Sequence, residues 1–181
     1  MIIRVTRGLR VPDVPEFHRS SVRGSADFIQ VREPELPARD LLDLVTRLMA
    51  EARGSRIGVV VNERTDVALI AGAAGVHLKA GGPPVAAVRR IVPPGFLIGR
   101  SAHTDEEIDR AEGADYLVFG TVFATASKPG EPGQGLDLLR KAAERFRGPV
   151  VAIGGITQAN AADVRAAGAA GYAAIGMFQI Q

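Results

Sequence analysis

Eight short β-compatible segments alternate with segments of helical periodicity, and this predicts an α/β chain closed into a (β/α)8 TIM barrel. Three observations carry the prediction. The strand candidates include continuous apolar runs, such as PVVAI at 149–153 and GYAAI at 171–175. A run of that kind suits a strand buried on both faces, as in a parallel sheet covered by helices. Strand candidates start near residues 2, 26, 56, 75, 96, 115, 149 and 171. Each interval holds a strand, a short loop and a helix of two or three turns, the unit that a parallel crossover requires. Finally, the runs end in polar residues or glycine, at the side where such a barrel carries its site.

Taken in order, residues 2–6 are a short apolar strand, and 14–23 a weak helix after Pro12 and Pro15. Residues 26–33, ADFIQVRE, form the second strand with a polar end. The clearest helix spans 37–53, where Leu41, Leu44, Val45, Leu48 and Met49 recur at three- and four-residue spacing. Strand 56–63, RIGVVVNE, precedes a helix at 66–74, and strand 75–80, GVHLKA, precedes one at 85–92. In FLIGRSA at 96–102 the fifth strand leads to Thr104, an N-cap with Glu107 three residues on, which reads as a capping box. The sixth strand, 115–123, is followed by a glycine- and proline-rich loop at 124–134 and a helix at 136–146. Strands 149–156 and 171–178 flank the last helix, 161–167. Only three residues follow 178, so the eighth helix is expected to be missing or a stub. The groove it leaves points to a homo-oligomer.

With 181 residues, 46% of them hydrophobic, one domain over 1–181 with a substantial core is expected. There is no cysteine, which excludes disulfides, thiolate metal sites and a cysteine nucleophile. The N-terminal apolar stretch is too short for a signal peptide, and no run approaches a membrane span. The expectation is a cytoplasmic protein without a membrane partner. A net charge of +2, with no Lys/Arg cluster interleaved with aromatics, argues against nucleic acid. Arg4, Arg7 and Arg10 read as a solvated edge, whose basic charge could also help collect a phosphorylated small molecule.

The strand ends assemble a polar ring: Gln30, Arg32 and Glu33; Asn62 and Glu63; His77 and Lys79; Arg100, Ser101 and His103; Thr121, Thr125, Ser127 and Lys128. Gly154, Gly155, Ile175 and Gly176 complete it. Glycines at a strand end ahead of a helix expose N–H groups, which attract anions. On two successive strands late in a barrel, that is the usual place of a phosphate site. The inventory suits a phosphorylated, heterocyclic small molecule. Singly, the members also have plainer readings. His77 in an apolar strand reads as a hydrogen-bonded core residue, Arg32-Glu33 and Glu63-Arg64 as rim ion pairs, and Thr125 and Ser127 as turn residues.

The segments IQVRE (29–33), VNERTDVAL (61–69), GVHL (75–78), IGRSAHTDEE (98–107), ADYLVFGTVFATASKPG (114–130) and VVAIGGITQAN (150–160) resemble the thiamine phosphate synthase and TenI superfamily, in the family's order. The resemblance implies a (β/α)8 barrel, commonly oligomeric. The synthase joins a hydroxymethylpyrimidine pyrophosphate to a thiazole phosphate and releases pyrophosphate with Mg²⁺. TenI relatives bind the thiazole phosphate, and some isomerise its carboxylated form. By resemblance, Gln30 and Asn62 contact the pyrimidine, while Arg32 and Ser101 serve the pyrophosphate. Thr125, Ser127 and Lys128 match the loop over the substrates, and Gly154-Gly155 with Ile175-Gly176 match the thiazole-phosphate cradle.

Other positions depart from the pattern. The synthase lysine after the second-strand arginine is Pro34 here, and the aspartate after Asn62 is Glu63, the one candidate Mg²⁺ ligand. The second metal aspartate falls on Gly82, and Lys79 reads either as a replacement cation or as a partner of Glu63. The TenI histidine after the sixth-strand glycine is Thr121. Three readings stand open: a synthase with weakened metal binding, a tautomerase using His77 or His103, and a non-catalytic binder.

Overall fold

A computed structural model describes residues 1–125, 130 and 132–176 of the chain. Its eight strands are β1 (Ile2–Val5), β2 (Phe28–Val31), β3 (Gly58–Asn62), β4 (Gly75–Leu78), β5 (Leu97–Ala102), β6 (Tyr116–Gly120), β7 (Val150–Ile153) and β8 (Gly171–Ala174). Every neighbouring pair is parallel, in sequence order. β8 returns to β1, with Ile2 opposite Tyr172 and Ile3 opposite Ala173, and the sheet is a closed barrel. The helices between strands are α1 (Val14–Arg23), α2 (Ala38–Ala52), α3 (Thr65–Ala71), α4 (Val85–Arg89), α5 (Asp105–Asp109), α6 (Gly135–Arg145) and α7 (Ala161–Ala166).

Side chains on a strand alternate between its two faces. Outward residues Ile29, Val31, Val59, Val61, Val76, Leu78 and Ile98 pack with Leu41, Leu44, Val45 and Leu48 of α2 and with Val67, Val85 and Val88 of α3 and α4. On the other side Leu117, Phe119, Val150, Ala152 and Tyr172 meet Ile108, Leu139, Ala142 and Val164. Each such leucine or valine contributes about 1.5–3 kcal/mol on burial. The α2 stripe holds the helix as its spacing predicts, with all four of those α2 residues at most 4% exposed. Inward residues Ile3, Val5, Tyr116, Val118, Val151 and Ala173, joined by Phe28 and Ile153, fill the barrel.

Element ends moved for local reasons. α3 stops at Ala71 because Gly72 turns left-handed at φ 67° and donates to the Ala68 and Leu69 carbonyls. α4 ends at Arg89, short of the expected 92, with Pro93-Pro94 just beyond. Thr104 caps α5 by accepting from Glu107 N, yet Glu107 Oε2 accepts from His103 N at 2.7 Å. The expected capping box therefore reaches back one residue further. The strand ends at 32–33 and 154–156 are loops. The expectation about an eighth helix concerns a segment that, past Gly176, lies outside the described residues. Among those residues no helix is long and apolar enough to cross a membrane.

Gly99 faces inward where the Tyr116 ring crosses, and a Cβ there would lie 2.1 Å from Tyr116 Cζ. Gly99→Ala is expected to destabilise the barrel by at least about 2 kcal/mol, because a rigid ring beside backbone has no room to retreat. Urea unfolding measures it, and an unchanged midpoint would show that the ring has space to move.

Candidate active site

The C-terminal ends of the strands surround a cavity of about 1300 Å³. Gln30, Arg32, Asn62, His77, Ser101, His103, Thr125, Gly154, Gly155, Ile175 and Gly176 all line it, as do Gly120 and Thr121. Alternation explains the set. The lower inward positions hold apolar side chains, and the last inward position of β2 to β5 holds Gln30, Asn62, His77 and Ser101. Gln30 Nε2 donates to Asn62 Oδ1 at 3.0 Å, fixing the two amides side by side.

His77 is 2% exposed, with Nε2 2.8 Å from Ser101 Oγ and Nδ1 3.2 Å from the Tyr116 hydroxyl. Burial lowers its pKa from 6.5 to about 3, since a charged imidazolium there loses its hydration. Burial likewise pushes the Tyr116 phenol above its ordinary range, with Asp115 adding to the shift. A ring with both nitrogens engaged and so little affinity for a proton is poorly matched to general-base work near neutral pH. His103 is exposed, and it donates through Nδ1 to the Gly120 carbonyl. A carbonyl only accepts, so in the neutral ring Nε2 is the nitrogen that carries the lone pair.

The glycine loops are shaped for close backbone approach. Gly154 and Gly155 have φ of 99° and 63°. A Cβ on Gly155 would lie 2.5 Å from the Ala124 carbonyl oxygen and 2.7 Å from Phe123 Cβ, so only glycine fits. Among the described residues no backbone carbonyl accepts the N–H of Gly155 or Gly176. Asn160 secures the turn, accepting from Thr157 N at 2.8 Å and donating to Gly155 O at 3.0 Å.

Other members of the ring go elsewhere. Arg100 points outward and donates to the carbonyls of Pro83, Ala80 and Gly82, pinning the loop after β4. Glu33 accepts from Gly8 N and Leu9 N and so anchors the loop after β1, rather than pairing with Arg32. Arg64 pairs with Asp66, and Glu63 with Lys79 Nζ at 2.7 Å. Neither Glu63 nor Lys79 lines the cavity. Gly82 lies beside that pair, its Cβ direction 3.6 Å from Lys79 Cγ. Among the described residues no group of three His, Asp or Glu side chains is placed to hold a metal ion. The carboxylate expected to bind Mg²⁺ is thus paired with a lysine, and the second metal position holds Gly82 in place of a carboxylate. Ser127 and Lys128 lie outside the described residues.

Arg7, read from sequence as a solvated edge, follows β1 and lines the cavity. The signal for it was its position two past an apolar strand. The sequence reading missed Arg23 at the end of α1 and Thr157 and Gln158 of the loop after β7, which line the cavity too. Arg4, expected on a solvated edge, is 6% exposed and bonds Phe17 O, Ser20 Oγ and Ser21 Oγ, docking α1 on β1.

A family model described as thiamine monophosphate synthase matches residues 5–178. The chain belongs to that family. A thiamine-phosphate synthase of Methanoculleus marisnigri is 49% identical, over 88% of this chain and 77% of its own length. The one from Methanocella arvoryzae is 47% identical, with 89% and 77% covered. Among solved structures, thiamine phosphate pyrophosphorylase from Pyrococcus furiosus superposes with a TM-score of 0.83 at 35% identity, over 96% of this chain and 84% of that one. A 3-hexulose-6-phosphate synthase at 21% identity and TM-score 0.71 shares the fold. Family membership places the chain in thiamine biosynthesis.

Because the folded ring resists protonation, the unfolded chain binds one more proton at His77 between about pH 6.5 and 3. Stability therefore falls as pH falls through that window, by up to about 1.4 kcal/mol per pH unit. His77→Gln is expected to remove that one-proton part of the acid slope, whatever it does at pH 7. Urea midpoints of both proteins at several pH values check this, and equal slopes would contradict a neutral buried ring.

Proposed function

We propose that this chain is a thiamine-phosphate synthase, joining a hydroxymethylpyrimidine pyrophosphate to a thiazole phosphate. The single observation that carries the reading is one cavity lined together by Gln30 and Asn62, Arg32 and Ser101, and the Gly154-Gly155 and Ile175-Gly176 loops. Gln30 and Asn62 offer the paired donors and acceptors that a planar aminopyrimidine needs. The glycine N–H groups suit the thiazole phosphate. In the reaction the carbon–oxygen bond to pyrophosphate breaks, a bond from that carbon to the thiazole nitrogen forms, and pyrophosphate leaves with the electron pair. Arg32 and Arg7 both face the cavity, and Ser101 offers a hydroxyl where negative charge grows. Lys128, by family resemblance, would add a third cation from the loop after β6.

Magnesium assists the family's reaction, but the donor set here does not fit it. Glu63 is held by Lys79, and Gly82 supplies no carboxylate. We therefore assign leaving-group neutralisation to the cations. Pro34 occupies the place of a further family lysine and is exposed.

A second reading is supported by His103. Its imidazole lies against Gly120, next to Thr121, where TenI relatives carry their histidine. A tautomerase using His103 Nε2 as base would exchange a proton on bound thiazole phosphate. His103→Ala would abolish that exchange and spare synthesis.

Two measurements test the synthase. Purified protein given both substrates should form thiamine phosphate at a rate that responds weakly to Mg²⁺. Gly82→Asp and Pro34→Lys should each raise the rate, the former chiefly with Mg²⁺ present. Combined, they should exceed the product of the single effects, since both act on one leaving group. Absence of product under every metal condition would reject the synthase, and strong Mg²⁺ dependence in the unmodified chain would reject the cation assignment.

A further inference from the structure

The His77–Ser101–Tyr116 chain fixes where its protons are, and that in turn sets what the cavity offers to an anion. The Tyr116 hydroxyl is buried, and its one hydrogen-bond partner among the described residues is His77 Nδ1. A buried hydroxyl hydrogen without an acceptor is costly, so the phenol donates and Nδ1 accepts. In a neutral ring the proton then sits on Nε2. Nε2 lies 2.8 Å from Ser101 Oγ and donates to it. Ser101 therefore receives a hydrogen bond from the barrel interior and still has its own hydroxyl hydrogen to give. It lines the cavity, so that hydrogen is available to what binds there.

We propose that Tyr116 and His77 are positioning residues that lock Ser101 as a hydrogen-bond donor toward a phosphoryl oxygen in the cavity. This rests on the synthase reading for the identity of that phosphoryl group, the leaving pyrophosphate. The opposite tautomer would reverse the whole chain. Nδ1 would donate to the phenol oxygen, Ser101 would donate to Nε2, and serine lone pairs would face the anion. The phenol hydrogen would then be stranded in the core. The two rings stack at 5.6 Å between centroids and 30° between planes, which keeps the phenol oxygen beside Nδ1 in either arrangement. Gly99 leaves the space in which the Tyr116 ring lies, and His77 Nδ1 is the hydrogen-bond partner its hydroxyl meets there. The low proton affinity of His77 fits this role, because a charged ring would donate from both nitrogens and leave the phenol hydrogen unplaced.

The first test uses the native protein, ¹⁵N-labelled, without substrate. Long-range ¹⁵N–¹H correlation should show His77 Nε2 as the protonated, pyrrole-like nitrogen and Nδ1 as the bare, pyridine-like one. A ring protonated on Nδ1 overturns the proposal while leaving the synthase reading intact. Failure to make thiamine phosphate would do the reverse. The second test is calorimetric titration with inorganic pyrophosphate. Ser101→Ala should weaken binding about tenfold, the size of one hydrogen bond to a charged group. Tyr116→Phe should weaken it about threefold or more, as the ring divides between tautomers. In the Ser101→Ala background Tyr116→Phe should cost nothing further. Independent, additive losses would overturn the proposal, as would a native protein that binds no pyrophosphate. Where Tyr116→Phe fails to fold, the tautomer alone decides.

Discussion

The ladder between β8 and β1 is the constraint on which everything else depends. Three register pairs, from Ile2 opposite Tyr172 to Arg4 opposite Ala174, turn an open parallel sheet into a barrel. Without them both edges would present unpaired backbone groups, and the inward faces of eight strands would have no common interior. The approach of the two strands is tight enough that a Cβ on Gly171 would overlap the Met1 carbonyl. Closure gives each strand one face toward its helices and one toward the barrel axis. Every site residue owes its place to that division.

Within the closed interior, depth decides chemistry. Ile3, Tyr116, Val151 and Ala173 make an apolar plug. One inward step higher, β2 to β5 contribute Gln30, Asn62, His77 and Ser101, all with polar partners. The plug keeps water from beneath, and the polar tier faces the ligand. Tyr116 belongs to both, with its ring in the plug and its hydroxyl on His77. That dual position couples packing at Gly99 to the hydrogen bond that reaches Ser101.

Charge is distributed with similar economy. Several strand-end charges serve the scaffold: Arg100 holds the loop after β4, Glu33 the loop after β1, and Arg4 the first helix. Glu63 and Lys79 neutralise each other at the rim. The cavity is left with Arg7, Arg32, Arg23 (which also pairs with Glu16) and glycine N–H groups, a lining biased toward anions without a built cation site among the described residues.

By itself the sequence determined the alternation of strands and helices, and hence the barrel, because apolar run lengths and the intervals between them leave few other parallel arrangements. It determined the α2 face, the Thr104 cap and the glycine loops, whose signals are local: three- and four-residue spacing, a hydroxyl before a helix, paired glycines after a strand. It also carried the polar set from Gln30 to Gly176, since in a barrel the strand ends meet. Tertiary structure decided which way each of these side chains faces and what it touches. Arg32 and Arg100 are alike in sequence, each near the end of a strand. Position on the strand sends Arg100 outward into a carbonyl nest, while Arg32 lines the cavity. His77 reads in sequence as base or core residue alike, and only Tyr116, 39 residues away, and Ser101, 24 away, settle its proton. Glu63 and Lys79 follow the ends of β3 and β4, where sequence left Lys79 open as a free cation or as the partner of Glu63, and only the structure decides for the pair. Such pairings depend on register and side-chain direction across closed strands, which arise only when all eight are in place.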